Sequence, residues 1–415
     1  MHKGRLLRII LIILILGMGV YLFVRNNTLK KEVAEGTREN IEIKDFLPFG
    51  NGDGGIIDRV LDSVIPGRND TENSDSTRKL AVLIRENVAG SITIDRADEV
   101  AGPTGVDSNG NNIYNLVPAI RYVLQENGYV YDYIPKYKKS YLISDTPIPK
   151  VSFADFSASG NEILFRYLDS DLITEKSVLG VLGVNNITIL PDNISSFAFS
   201  GNGEFAYFKK TLTGSSLILI SKDDTETILY NSPITEWNME FMLNDILITT
   251  KASELAPGFS YIINKSDKKV TALWRNVVGL TTKSSANGNF ILRSESTTAG
   301  PKLSLYNTKT GTLSPLGKLG LTEKCSFSND ATILICGVPK DFVNKLYPDA
   351  WYLGEIETDD GIIRYTTENL NERVLPNVSK EVGGVVDVWG IGINNAGNIT
   401  TFINRANMGL WTYEE

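Results

Sequence analysis

From Leu80 onward, groups of short apolar runs separated by polar turns return about every 40 residues. FADFSASGNEILFRY, starting at Phe153, is followed by SVLGVLGV and ITIL; FAFSGNGEFAYFKK, starting at Phe197, is followed by SSLILIS and ETILY. The pattern continues as TEWNMEFMLNDILITTK, FSYIIN and KVTAL, then GLTTKSSANGNFILRSE, KLSLYNT and GTLSPL, then TEKCSFSNDATILICGV, AWYLGEIE and IIRYTTE. Each group reads as four strands, with no amphipathic helix between groups. Isolated hairpins are marginal in water, but small sheets repeated in a closed ring bury their faces against one another. Strands in fours at this period therefore predict an all-β fold, a β-propeller.

The repeated hairpin resembles that of TolB-like β-propellers, in which a Phe-Ser pair precedes a tight turn ending in glycine and then an apolar strand. Phe156-Ser157-Ala158-Ser159-Gly160 and Phe199-Ser200-Gly201-Asn202-Gly203 carry the pattern. Phe327-Ser328-Asn329-Asp330-Ala331 departs from it at the last position, where alanine replaces a glycine that would tolerate a left-handed backbone. The groups at 236–274 and 279–316 match loosely, and the resemblance covers about 150–370. No Trp-Asp dipeptide occurs, which sets the chain apart from the WD-repeat form of the fold. ITID, AIRYVLQ, YVYDYI and SYLIS supply a first blade containing a long insertion. GVVDVWGIGI, NITTFIN and MGLWTYE supply only three strands of a last one. Pairing KLAVLIR at 79–85 with that last blade would close the ring through the two ends of the domain and remove its open edges. Seven four-stranded blades result, with six or eight as alternatives.

The amino-terminal stretch MHKGRLLRIILIILILGMGVYLFVRNN has sixteen apolar or glycine residues from Ile9 to Val24, extended by Leu6 and Leu7. That length approaches a bilayer core of about 30 Å, with Arg8 able to snorkel. We expect a transmembrane helix over residues 1–25, in contact with the membrane through 6–24, rather than a cleaved signal peptide, since no small-x-small site follows. The positive residues before the run suggest a cytoplasmic amino terminus and a domain outside the cytoplasm. Residues 26–77, rich in acids, Gly, Asn and Ser, read as a flexible linker containing two apolar islands at 41–50 and 55–67. The propeller domain is expected over 78–415.

A net charge of -8 and a pI near 5.1 argue against nucleic acid as a partner. The only histidine is His2, and the only cysteines are Cys325 and Cys336, so the body of the chain lacks the residues of a Ser-His or Cys-His nucleophile and of most zinc sites. Asp107-Ser108-Asn109-Gly110-Asn111-Asn112 resembles a calcium loop but has no closing glutamate, and reads as a polar insertion. No catalytic residue, metal site or cofactor is assigned. Phe327 opposite Leu334 would set Cys325 opposite Cys336, either as a disulfide or as two buried thiols.

In a propeller, loops joining second to third strands share a face with the links between blades. KASELAPG at 251–258, STTAGP at 296–301, VPKDFVNKLYPDA at 338–350 and NLNERVLPNVSKEVG at 369–383 enlarge that face. Leu255, Phe342, Leu346, Tyr347 and Leu375, beside Arg373, have no evident core to fill and are the candidate partner-binding residues. The resemblance and the anchor together imply a membrane-tethered module that binds a protein or cell-envelope component. A surface enzyme acting on a glycan through paired carboxylates is the alternative.

Overall fold

The computed structural model describes residues 40–42 and 80–415, apart from 172–173, 185, 343–345 and 377. The anchor expected over 1–25 and nearly all of the linker lie outside the described residues. Among those described, no helix is long and apolar enough to cross a membrane.

Strand β1 (Asn40–Glu42) precedes β2 (Leu80–Ile84). Blade 1 contains β3 (Val88–Ala97), β6 (Leu116–Leu124), β7 (Val130–Ile134) and β8 (Lys139–Ser144), with the hairpin β4 (Gly105–Val106) and β5 (Asn112–Ile113) in its insertion. Blade 2 contains β9 (Val151–Phe156), β10 (Glu162–Leu168), β11 (Glu175–Val181) and β12 (Asn186–Ile189), and β1 pairs with its outer edge. Blade 3 runs β13 (Ile194–Phe199), β14 (Phe205–Thr211), β15 (Gly214–Ile220) and β16 (Glu226–Ser232). Blade 4 runs β17 (Trp237–Met242), β18 (Asp245–Thr250), β19 (Pro257–Asn264) and β20 (Val270–Val278). Blade 5 runs β21 (Thr281–Ser284), β22 (Phe290–Thr297), β23 (Gly300–Asn307) and β24 (Thr312–Leu319). Blade 6 runs β25 (Cys325–Phe327), β26 (Ile333–Pro339), β27 (Asp360–Thr366) and β28 (Glu372–Val374). Blade 7 is β29 (Val388–Ile393), β30 (Ile399–Asn404) and β31 (Gly409–Glu414), completed by β2.

The closure expected from the sequence is therefore present: Leu80 pairs with Tyr413 and Val82 with Trp411, giving seven antiparallel blades. The apolar clusters show why the ring holds. One such cluster bridges each seam between neighbouring blades. Ala89 and Val123 of blade 1 pack on Ala154 and Phe165 of blade 2, and Leu164 and Leu179 of blade 2 on Tyr207 and Ile218 of blade 3. Phe208 of blade 3 stacks on Trp237 of blade 4. Leu247 meets Ile291, Leu303 meets Leu334, and Ile335 meets Val388 across the next three seams. Val88 and Tyr122 of blade 1 close the circle against Ile403 and Leu410 of blade 7. One blade alone would leave both faces wet, so burial ties each sheet's stability to its neighbours.

The hairpins between first and second strands share a side-chain staple. Ser157, Ser200 and Ser328 each accept a hydrogen bond on Oγ from a backbone N–H four or five residues on, at 3.2, 2.9 and 3.0 Å. Ala331 adopts φ 60°, the left-handed backbone that Gly160 adopts at φ 74°. Blades 5 and 7 use the same device, through Ser285 Oγ to the Phe290 N–H at 3.0 Å and Asn394 Oδ1 to the Ile399 N–H at 2.9 Å.

Blade 6 departs from the sequence reading. AWYLGEIE is not its third strand; Asp349–Tyr352 forms a short helix, α1, and Asp360–Thr366 takes the third position. Trp351 is buried with Leu321 and Tyr347 in a small core above the blade ends, against Tyr352, Ile356 and Trp389. Packing on that core outweighs the local strand propensity. The following segment supplies the outer strand β28 and a second short helix, α2 (Val378–Val382), in place of the loop expected over 369–383.

Candidate binding face and channel mouth

The inner strands β3, β9, β13, β17, β21, β25 and β29 begin at the face where second strands hand over to third strands. Charged side chains on three of these strands and on the turn before a fourth line the central channel. Asp155, Glu240 and Lys283 come from β9, β17 and β21, and Glu323 from the turn before β25. Asp155, Lys283 and Glu323 lie deep among protein atoms yet remain only half-buried, as expected for groups lining a solvated channel. Lys283 Nζ pairs with Glu240 Oε1 at 2.9 Å, and the other Glu240 oxygen accepts the Ser284 N–H, joining blades 4 and 5. The Glu240 carboxylate raises the Lys283 pKa. Burial raises the carboxyls of Asp155 and Glu323; Lys283 opposes the first effect, and the hydroxyl of Tyr352, donating to Glu323 at 2.5 Å, opposes the second. Phe153 of blade 2 meets Trp389 of blade 7 with ring centroids 6.0 Å apart. Those blades are not neighbours, so the contact is made across the start of blade 1.

A buried ionic cluster supports the same face between blades 6 and 7. Lys324, 0% exposed, donates to Thr358 Oγ1 at 2.5 Å, Asp360 Oδ2 at 2.6 Å and Asp387 Oδ1 at 2.5 Å. Trp351 Nε1 donates to Asp387 at 3.0 Å, and its ring lies 4.9 Å from the ammonium of Lys324 and 4.5 Å from the guanidinium of Arg405. Burial raises the Asp360 pKa against the lowering effect of Lys324. This arrangement fixes α1 to the scaffold: the helix answers a buried cation and carboxylate, not local propensity alone.

The loops are braced to one another. The Glu254 N–H donates to Asp349 Oδ2 at 2.8 Å, Lys251 lies 5.8 Å from the Tyr352 ring, and Ser296 Oγ reaches the Tyr347 carbonyl at 3.5 Å. Of the candidate partner-binding residues, Leu255 is 75% exposed and Leu346 52% exposed. Tyr347 is buried and packs edge-on against the half-buried Phe342 at 5.2 Å, and Leu375 belongs to the core between blades 6 and 7. The expectation that these three had no core to fill is corrected: the small core above blade 6 takes the aromatics, and the blade seam takes the leucine. Arg373 is exposed, but on β28 and paired with Glu415 at 2.7 Å. Leu353, 73% exposed just beyond α1, was not singled out because its segment reads as a strand. The channel residues were also missed, since they come from different blades and no local motif marks any of them.

Cys325 pairs with Cys336 and Phe327 with Leu334 in the expected register, and the two sulfurs are bonded. The insertion loop at 107–112 is held by its own aspartate: Asp107 Oδ1 accepts the N–H groups of Asn109 and Asn111, both at 2.8 Å. Those bonds lower its carboxyl below the ordinary range, led by the side chain of Asn111.

Comparison with solved structures returns other propeller proteins at low identity. TolB from Acinetobacter baumannii is 9% identical, with a TM-score of 0.42 over 78% of this chain and 80% of that one. An oligogalacturonate lyase in complex with manganese is 7% identical, with a TM-score of 0.49 over 71% of this chain and 85% of that one. An oligogalacturonate lyase from Vibrio parahaemolyticus is 8% identical, with a TM-score of 0.46 over 79% of this chain and 98% of that one. No family model and no curated protein sequence matches the chain. The assignment to the seven-bladed architecture rests on the strand pairing described above.

Proposed function

We propose that the chain is a membrane-tethered module whose propeller, outside the cytoplasm, binds a protein or cell-envelope partner through the loop face of blades 4 to 6. One observation carries the reading: Leu255, Leu346 and Leu353 stand exposed on loops that are joined to each other through Glu254 and Asp349 and footed on buried aromatic and ionic groups. Apolar side chains held out by a rigid base lose little conformational freedom when covered, which suits a binding surface. The apolar run at 9–24 supports the tether, and the positive residues ahead of it support the orientation.

Replacing Leu255, Leu346 and Leu353 together with serine tests the face. Cross-linking in membranes followed by mass spectrometry should lose the partner bound by the native chain, with the melting temperature within about 2 °C of native, since exposed sites contribute little to stability. Retained cross-links would reject this face. Protease added to intact spheroplasts should release the propeller; full protection would reject the orientation.

A second reading is supported by Asp155 and Glu323 lining the channel with carboxyls that burial raises, since general-acid cleavage of a glycan uses a carboxyl raised in that direction. Turnover of acidic or neutral oligosaccharides that disappears in both Asp155→Asn and Glu323→Gln would establish it; no turnover by the native chain would reject it.

A further inference from the structure

Lys324, Asp360 and Asp387 meet at the seam between blades 6 and 7, and all three side chains are 0% exposed. Lys324 closes the turn before β25, Asp360 begins β27, and Asp387 stands immediately before β29. The sheets themselves therefore set their separation. The two carboxyls are partnered differently. On Asp387, Oδ1 accepts from Lys324 Nζ at 2.5 Å and Thr358 Oγ1 at 3.2 Å, both oxygens accept from Trp351 Nε1 at 3.0 Å, and Arg405 lies 3.9 Å from Oδ2. On Asp360, Oδ2 accepts from Lys324 Nζ at 2.6 Å and from the Val388 N–H at 2.8 Å. Its Oδ1 is buried and has no hydrogen-bond partner among the described residues. A bare carboxylate oxygen in a buried site is costly, and burial raises the Asp360 pKa in keeping with that.

This geometry is that of two groups about to condense. With Nζ at 2.6 Å from Oδ2, the amine of Lys324 stands roughly 3–3.5 Å from the Asp360 carboxyl carbon, the separation from which oriented groups react. The Val388 N–H already points at the oxygen that would gain charge when that carbon is attacked, as an oxyanion donor does. The unpartnered Oδ1 is free to leave. In water an ammonium and a carboxylate resist condensation because both are hydrated. Burial strips that hydration at a large cost, and forming a neutral amide removes one buried charge of each sign.

We propose that Lys324 and Asp360 become joined by an isopeptide bond within the folded chain, with Asp387 carrying the protons. Asp387 takes a proton from Nζ, and the freed amine attacks the Asp360 carboxyl carbon while the carbonyl electron pair moves onto Oδ2. Two of the three Nζ protons pass through Asp387 to Oδ1, the carbon–Oδ1 bond breaks, and one water leaves. The third proton stays on the amide nitrogen, and Asp387 ends as it began. The bond fixes the two ends of the segment 324–360, which contains α1, Leu346 and Leu353, so the loops of blade 6 stand on a covalent base. The ionic cluster is the precursor, and a stability comparison made on it applies to chains that have not yet reacted. The bond does not depend on the proposed partner or on the proposed orientation.

Mass spectrometry of the full native chain, with its disulfide reduced, tests the proposal. The chain should be about 18 Da lighter than its sequence, the mass of one water. A tryptic digest should contain residues 319–340 joined to 346–364, with the chain uncleaved after Lys324. Full mass with no joined peptide would overturn the proposal. So would 319–340 joined to 381–405, which carries Asp387, or the same mass loss confined to 346–364, which is a cyclic imide at Asp360-Gly361. Lys324→Arg should keep its full mass, and a loss there would place the reaction elsewhere. Proton transfer by a positioned side chain is worth about 100-fold or more, so the folded fraction of Asp387→Asn should hold at most about a tenth of the native amount of joined peptide after equal time. An equal amount would overturn the part given to Asp387.

Discussion

Replacing Lys324 with methionine keeps a side chain of similar length and removes the one cation on which Asp360 and Asp387 both converge. All three side chains are fully buried, and Lys324 makes three hydrogen bonds while facing the Trp351 ring. Deleting one partner of a buried ionic group, rather than the whole group, leaves charge without a counter-ion, at a cost of about 3–5 kcal/mol. Asp360 is already raised by burial, with Lys324 as the foremost opposing influence, so it should rise further in the variant. A folded-state pKa above the unfolded value favours folding below the unfolded pKa and loses that advantage as pH rises through the folded one. The variant should therefore sit about 3–5 kcal/mol below the native chain at pH 7, with the gap narrowing by half or more near pH 4. For a ring of roughly 330 residues unfolding as one unit, an unfolding entropy near 0.7 kcal/mol/K makes this a fall of about 4–7 °C. Urea denaturation at the two pH values measures it. A loss under about 1 kcal/mol, or one equal at both pH values, would refute the account of the cluster as an ionic foundation for α1.

Three further variants probe other parts of the ring. Asp155→Asn removes a carboxyl that burial raises above its ordinary value, so it should raise the melting temperature at pH 7, with the gain vanishing as pH falls well below the unfolded value of 3.8 and the native carboxyl becomes protonated in both states; a lower melting temperature at pH 7 would show that the charged Asp155 is stabilised by its neighbours. Gly90→Ala would place a Cβ 1.9 Å from the Ala154 carbonyl of the next blade, and the backbone shift needed should cost about 3 kcal/mol in a denaturation experiment, whereas no loss would mean that the seam between blades 1 and 2 is looser than described. The double variant Cys325→Ser and Cys336→Ser opens a loop with a sequence separation of 11 and should lower stability by at most about 3 kcal/mol; a larger loss would show that packing of the sulfurs, and not chain entropy, dominates.

The parts of this molecule that could be read in its sequence are those the fold repeats. Short strands returning at a fixed interval gave the blades, and the shortage of one strand at the carboxyl end matched the spare strand at 79–85, because a ring has to pair its own edges. The Phe-Ser hairpins of blades 2, 3 and 6 were visible, while those of blades 5 and 7 were not. There Ser284 and Ile393 stand where the phenylalanine would be, yet Ser285 and Asn394 still make the staple, since the turn needs an acceptor side chain and the phenylalanine serves packing only. AWYLGEIE was misread because its apolar residues suit a strand locally, and only Asp387 and Leu321, distant in sequence, give Trp351 a reason to turn inward. The channel mouth was illegible for a stronger reason. Asp155, Glu240, Lys283 and Glu323 come from four different blades, each from an inner strand or the turn before one. Comparing repeats finds what the blades share, and a residue that occurs in one blade alone looks like drift in the pattern. Closing the ring is what turns those four exceptions into one charged surface, so the same symmetry that reveals the architecture conceals its site.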